Sequence, residues 1–447
     1  MKSQESIPTS KVARASQFVK ATVKVGGNYL KHYSKKLVDP DLPKEALHEA
    51  NAKDVYDALS NLKGSALKMA QMMSMDKNLL PRAYTDKFAM SQYSAPPLSA
   101  PLVMKTFKTH FGMSPSQMFD TFSMEAENAA SIGQVHRATK GDKTLAVKIQ
   151  YPGVADSISS DLRMARPLAV QLLNLNDAEI DRYFSEVEGK LLEEADYELE
   201  LKRSIEITQA CSHIDNLYFP SYYPEFSCKR IITMDWIEGE HLKEFLQTNP
   251  SQEVRDRIGQ ALWDFYNFQI HELKQVHADP HPGNFLFSPE GKLGIIDFGC
   301  IKVIPEHFYT HYFALINRDI LEDDGAMDKI FRELEFILKE DTPDQQVFFH
   351  GLFKQMIEIL GRPFAQKEFH FGDDSYVDEV YAFFEYVANI PELKSASAAR
   401  GSQHGLYVNR TYFGLYTLLN DLKANVRTTK PRWLMSKAEL GEQTVAS

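Results

Sequence analysis

Between Asp54 and about Met75 the apolar residues Val55, Leu59, Leu62, Ala66, Met69 and Met73 recur at steps of four, three, four, three and four. That spacing marks one face of an α-helix. At 100° per residue, Gly64, Lys68 and Gln71 fall on the opposite side with Ser60 beside them. A solvated face is the simplest reading of that side. Its Gly64, Ser60, Leu67 and Met75 suit water poorly, so a second packing surface competes with it. Pro81, Pro96-Pro97 and Pro101 punctuate the exit. The period then changes. Leu145-Ala-Val-Lys-Ile-Gln150 and Ile231-Ile-Thr-Met-Asp235 read as strands, with a helix running through Glu186–Ile207 between them. From about Gly239 the pattern is helical to the end, apart from strands near Asn284–Phe287 and Leu293–Ile296 joined by the hairpin turn Ser288-Pro-Glu-Gly291. The outline is α+β: a small mixed lobe followed by a large, mostly helical one.

Composition narrows the class. Of 447 residues, 43% are hydrophobic, with 28 Phe and 20 Tyr, which is ample for large buried cores and excludes general disorder. Fifty Lys and Arg against 61 Asp and Glu leave a net charge of −11, which argues against a nucleic-acid binder. Three cysteines, Cys211, Cys228 and Cys300, form no disulfide framework and no zinc-type pair, so a reducing compartment is expected. No run of about eighteen apolar residues and no signal-peptide pattern is present, so the expected location is cytoplasmic, at most peripheral on an inner membrane face. Residues 1–36 differ from the rest: they hold eight Lys and Arg against one acid, Glu5, and the remainder carries −18. Val12, Ala15, Phe18, Val19 and Val23 recur there at helical spacing. Such a basic amphipathic stretch either lies on an anionic membrane or packs on the chain's own acidic body.

The strongest chemical signal is His277-Ala-Asp279-Pro-His-Pro-Gly-Asn284 followed by Ile296-Asp297-Phe298-Gly299. Phosphoryl transfer needs one carboxylate to orient the acceptor hydroxyl, here Asp279, and an amide oxygen and a second carboxylate to hold Mg²⁺, here Asn284 and Asp297. Hard oxygen ligands suit that ion, which keeps several waters and asks for few protein groups. A nucleotide phosphate also needs a cation, and Lys148 lies mid-strand among apolar neighbours. Upstream, Asn128-Ala129-Ala130-Ser131-Ile-Gly133-Gln-Val-His136 supplies a strand–turn–strand of small residues whose backbone N–H groups can approach phosphate oxygens. A helix glutamate should hold the lysine. Candidates sit in Glu193-Glu194-Ala-Asp196-Tyr-Glu198-Leu-Glu200, where Glu193, Asp196 and Glu200 share one face of a continuous helix. Met234, Asp235 and Ile237, at the end of the second strand, complete the cofactor-binding candidates.

With these residues assembled, the chain resembles the UbiB/AarF/ADCK family of atypical protein-kinase-like proteins, from about Leu59 to Ile304. Leu67-Lys68-Met-Ala70-Gln71 stands where the family has Lys-x-Gly-Gln, with Ala70 replacing the glycine. Ala129-Ala130-Ser131 resembles its alanine-rich loop, Glu194-Ala-Asp196-Tyr its Glu-x-Asp motif, and Glu200 matches the lysine-pairing glutamate. The resemblance implies a two-lobed kinase-like fold with four parts. These are a basic segment (1–50), a helical family-specific extension (51–104), an N-lobe with inserted helices (105–238), and a helical C-lobe with the catalytic loop and Asp-Phe-Gly (239–447). It also implies ATP and Mg²⁺ as cofactors, catalytic roles for Asp279, Lys148, Lys68 and Gln71, and a Lys68/Gln71 helix covering the site. Kinase or ATPase activity supporting quinone or other isoprenoid-lipid metabolism follows from the same source. The alternatives are a catalytically weak nucleotide-binding scaffold for lipid enzymes, or small-molecule phosphotransfer of the aminoglycoside- or choline-kinase kind, against which the alanine-rich loop argues. Besides the nucleotide, candidate partners are a prenyl-phenol or quinone-like lipid, an anionic membrane and a second copy of the chain.

Overall fold

The strand-forming run around Lys148 is the centre of an antiparallel sheet in the computed structural model of the protein, which describes residues 11–36, 45–62, 84, 87, 98–129, 132–172, 177–390 and 400–445. The chain divides into two compact units, Met1–Ile205 with Ser221–Trp236, and Glu206–Pro220 with Ile237–Ser447. Among the described residues, no helix is long and apolar enough to cross a membrane.

The sheet of the first unit uses β1 (Thr121–Phe122), β2 (Asn128–Ala129), β3 (Gly133–Lys140) and β4 (Lys143–Gln150). A short strand of the second unit, β5 (Leu217–Tyr218), precedes its last member, β6 (Ile231–Asp235). The order is β1–β3–β4–β6, with β2 also on β3. Gly141, at a φ of 59°, opens the two-residue turn that closes the β3–β4 hairpin, where an L side chain would be strained. Val147, Ile149, Ile231 and Ile232 share a core with Val103 and Phe107 of helix α1 (Ala100–Phe111). Burying each such side chain contributes roughly 1.5–3 kcal/mol.

Among the described residues, the helices Lys11–Lys36 and Glu45–Leu62 precede α1. The second begins earlier than the sequence pattern suggests, and the part of that pattern beyond Leu62 lies outside the described residues. Val25, Ala52 and Val55 join the core, and Asn28 Nδ2 donates to Asn51 Oδ1 at 3.0 Å and Asp54 Oδ2 at 2.9 Å. The basic helix therefore packs through the side bearing Val25 and Asn28. Val19 and Val23, counted above in its apolar face, are 60% and 69% exposed.

The helix read as continuous through Glu186–Ile207 is two helices, α2 (Asp177–Glu194) and α3 (Tyr197–Ala210). Asp196 causes the break by capping α3: its Oδ1 accepts the Leu199 N–H at 3.0 Å. Glu193, Asp196 and Glu200 consequently do not share one helix face. Glu193 pairs with Arg203 and Glu200 with Lys148, which relieves the like-charge crowding of the acidic run.

The second unit is built on α4 (Gln252–Phe268), whose first turn is capped by the Ser251 side chain. Its Trp263, Phe265 and Tyr266 are fully buried. β7 (Gln275–His277) pairs antiparallel with a later strand, Ile301–Val303. β8 (Phe285–Phe287) and β9 (Leu293–Ile295) form the expected hairpin, and β5 lies parallel to β9. That pairing is why residues 206–220 belong to this unit. The helical remainder also contains one strand pair absent from the sequence reading, Glu368–His370 with Asn425–Arg427.

Candidate functional site

Lys148 lies in β4 opposite Val135 of β3 and Ile232 of β6. Its Nζ donates to Glu200 Oε1 at 2.6 Å, with the two side chains only 9% and 5% exposed. A buried pair of this kind is costly to break, because removing one partner strands the other charge. The ammonium also lies 5.3 Å from the Tyr197 ring centroid. Gly133, opposite Gln150, makes room for Tyr197: a Cβ there would stand 2.5 Å from the Ile149 carbonyl and 2.8 Å from the Tyr197 hydroxyl.

Buried polar contacts fix the strand leading out of the small-residue loop. His136 Nδ1 is 2.7 Å from the Ser123 carbonyl, so it carries the proton. Its Nε2 then accepts from the Gln134 amide at 2.7 Å, and Gln134 Oε1 accepts the Leu98 N–H at 2.6 Å. Burial lowers the His136 pKa, which keeps the ring neutral as this chain of bonds requires.

In the second unit the Asp279–Asn284 loop is closed by its own hydrogen bonds. Asn284 Nδ2 donates to the Asp279 carbonyl at 3.0 Å and to its Oδ2 at 3.3 Å. The amide nitrogen is thereby committed, leaving Asn284 with an oxygen as its remaining side-chain ligand atom. The Ile296 N–H donates to the Asn284 carbonyl at 3.1 Å, continuing the β8–β9 ladder to the residue before Asp297. Asp297 Oδ1 accepts the Gly299 N–H at 2.8 Å. A carboxylate and an amide oxygen at the end of one hairpin are hard donors of the type Mg²⁺ takes, and that ion needs few protein ligands. The residues fit it.

His277 joins the two acidic segments. Its Nε2 donates to the Asp297 carbonyl at 2.9 Å, and its Nδ1 accepts from the Tyr266 hydroxyl at 3.3 Å. Burial lowers the His277 pKa and outweighs the raising effect of Asp279 and Asp297, so the ring is neutral. Burial also pushes the Tyr266 phenol well above its ordinary range, which keeps it a donor. Helix α5 (Gln403–Asp421) lies against this loop, with a Cβ on Gly414 falling 2.3 Å from Pro280.

Of the residues singled out in the sequence, Lys148 and Glu200 come together in the first unit, and Asp279, Asn284 and Asp297 lie within a short span of the second. Ala129 pairs with Gln134 in β2, whereas Ala130, Ser131, Lys68 and Gln71 lie outside the described residues. Met234 pairs with Ala146, and Ile237 is half-buried just beyond β6. Asp235 accepts from Tyr223 at 2.5 Å and from the Ser221 N–H at 3.0 Å. Burial raises its pKa, but those bonds and Lys143 outweigh it and hold the carboxyl low. Glu194 ends α2 and Asp196 caps α3. Sequence reasoning missed Gln150, which donates to the Ala195 carbonyl, Arg230, which donates to Gln150, and Tyr266, which donates to His277. No local signal marks Gln150 and Arg230, since each acts on a residue distant in the chain.

Residues 90–331 match a family model described as "ABC1 atypical kinase-like domain". A probable serine/threonine-protein kinase abkA of Dictyostelium discoideum is 26% identical, over 95% of this chain and 78% of its own. The mitochondrial atypical kinase COQ8 of Saccharomyces cerevisiae is 25% identical over 95% of this chain and 84% of its own, and COQ8B of Danio rerio 26% identical over 94% and 68%. A solved structure described as the complex of Rv3197 and erythromycin from Mycobacterium tuberculosis shares 24% identity and a TM-score of 0.58, covering 86% of this chain and 95% of that one. At that identity the likeness concerns the fold.

Proposed function

The chain belongs to the ABC1 atypical kinase-like family, with its α+β protein-kinase-like fold, and we propose that it binds ATP with Mg²⁺ and transfers or hydrolyses the terminal phosphoryl group. The observation that carries this reading is the buried Lys148–Glu200 pair at 2.6 Å. A lysine held by a helix glutamate on a central strand is the cation that phosphoryl transfer requires. Asn284 and Asp297 are the residues that would hold the metal, which when bound neutralises charge on the phosphates. Asp279, tied to Asn284 through its carbonyl and Oδ2, is proposed to orient the acceptor oxygen and take its proton. Tyr266 and His277 hold the loop and Asp297 in register through neutral hydrogen bonds. The backbone of Ala129, Ala130 and Ser131 is assigned to the phosphates, and Lys68 and Gln71 to limiting transfer to protein acceptors.

The acceptor we favour is a prenyl-phenol, quinone-like or other isoprenoid lipid reached at an anionic membrane, in keeping with the COQ8-type names of the relatives. Catalysis rather than scaffolding is favoured because Lys148, Asp279, Asn284 and Asp297 are all present. Binding of a fluorescent ATP analogue with Mg²⁺ tests the carrying observation. A hydrogen bond to a charged group is worth about 1.5–3 kcal/mol, so Lys148→Ala should weaken ATP binding roughly 10- to 150-fold while sparing adenosine. Equal ATP affinity in the variant would remove the lysine from the site.

A further inference from the structure

We propose that Gln150 is a positioning residue for the Lys148–Glu200 pair, acting through the break between α2 and α3; the inference rests on the nucleotide reading above. Lys148 and Gln150 are two apart on β4, so their side chains leave the same face of the sheet. Gln150 is 1% exposed, and its polar groups are engaged. Nε2 donates to the Ala195 carbonyl at 2.9 Å, Oε1 accepts from Arg230 Nη1 at 2.6 Å, and the backbone N–H donates to the Arg230 carbonyl at 2.9 Å. Arg230 can only donate, so it also fixes which end of the amide faces Ala195.

The Ala195 carbonyl has a particular place in the chain. In a continuous α-helix it would accept the Leu199 N–H. Here that N–H donates to Asp196 Oδ1 at 3.0 Å instead, so the break presents the carbonyl to a side-chain donor. Asp196 and Gln150 thus divide one helical hydrogen bond between them, Asp196 taking its donor and Gln150 its acceptor.

The two attachments are closely matched in length. Residues 148 and 150 are about 6.7 Å apart along a strand. Residues 195 and 200, which carry the two partners, are about 7.5 Å apart at helical rise. Gln150 therefore holds the break while Lys148 meets the helix one turn further on, and α3 is tied to β4 at two points. With one attachment gone, the helix pivots about the other. A movement of about 1 Å at Glu200 would carry its 2.6 Å contact with Lys148 beyond hydrogen-bonding reach.

The test uses the full chain and four forms: wild type, Gln150→Met, Glu200→Gln and the double variant. Methionine keeps the length and the buried volume but neither hydrogen-bonding end. Gln150→Met should weaken Mg-ATP binding at least fivefold with adenosine binding unchanged. The double variant should bind no more weakly than Glu200→Gln alone, because Gln150 acts through Glu200. Wild-type ATP affinity in Gln150→Met, or losses that multiply in the double variant, would overturn the proposal. A second readout needs no nucleotide: acylation of the Lys148 amine by acetic anhydride, followed by mass spectrometry, should be faster in Gln150→Met than in wild type. If wild type binds no ATP, the nucleotide reading fails and this acylation comparison still decides for or against the clamp. If Gln150→Met does not fold, Arg230→Met should reproduce the faster acylation, and an unchanged rate would count against the clamp.

Discussion

Replacing Gly133 by alanine adds a single methyl where, among the described glycines of the first unit, a Cβ has the least room. That methyl would sit 2.5 Å from the Ile149 carbonyl and 2.8 Å from the Tyr197 hydroxyl. Carbon–oxygen contacts normally settle near 3.3–3.6 Å, so about 0.8 Å of relief is needed. The carbonyl belongs to β4, paired rung by rung with β3 and β6, and cannot withdraw without loosening the sheet. The hydroxyl belongs to a fully buried ring that lies beside the Lys148 ammonium. Overpacking of this kind costs typically 1–3 kcal/mol, and a backbone clash places Gly133→Ala in the upper half, about 2–3 kcal/mol. For a unit of this size each kcal/mol moves the midpoint by about 2–4 °C, so thermal unfolding should shift down by roughly 4–12 °C. Gly189→Ala is the control. A Cβ there meets nothing within 4 Å on helix α2, and it should stabilise slightly, by about 0.5–1 kcal/mol. Circular dichroism melts of both variants check the pair. A Gly133→Ala midpoint within a degree of wild type would refute the steric argument, and with it the tight fit of Tyr197 beside the lysine.

Two further outcomes follow from buried and exposed charge. Burial holds the folded His271 pKa down to about 3 against an ordinary 6.5, so protons favour the unfolded chain and stability falls as pH drops below about 6.5. Between pH 7 and 4.5, urea unfolding of wild type should lose about 2.5 kcal/mol more than that of His271→Phe, and parallel pH curves would contradict it. On the basic N-terminal helix, Lys20 and Lys31 are exposed, as are Val19 and Val23. Reversing both to glutamate should lower co-sedimentation with anionic liposomes at least tenfold, since each lysine contributes about 1 kcal/mol near such a surface. Unchanged co-sedimentation would remove the membrane from the account.

The parts of the fold legible in the sequence were those governed by local period and turn chemistry. The Lys148 strand, the Ile231–Asp235 strand and the hairpin after Asn284 all show in the pattern, because buried β-branched runs and a Pro-Glu-Gly turn have few other uses. The lysine–glutamate pair was also legible, 52 residues apart, but only through the resemblance of motifs. The break at Ala195–Asp196 was not read, although its signal was present: Asp196 is a strong N-cap residue, masked by an acidic run that fits helical spacing equally well. Gln150 and Arg230 carry no local signal at all, since Gln150 reaches a carbonyl 45 residues away and Arg230 a side chain 80 residues away. The packing side of the basic helix was left open for a related reason. Its apolar spacing was counted without the Asn28 hydrogen bonds that fix which side faces the neighbouring helix.

The proposed activity turns on Asp297 as a metal-holding carboxylate at the end of the Asn284 hairpin. Phosphate release from ATP by the full chain, measured with Mg²⁺ and with EDTA, tests it most directly when wild type is set beside Asp297→Asn. The amide keeps the shape and can still accept the Gly299 N–H, now 2.8 Å from Oδ1, so the fold should survive. Release should depend on Mg²⁺ in wild type and vanish in Asp297→Asn with an unchanged melting midpoint. Mg-dependent release at the wild-type rate in the variant would contradict the account.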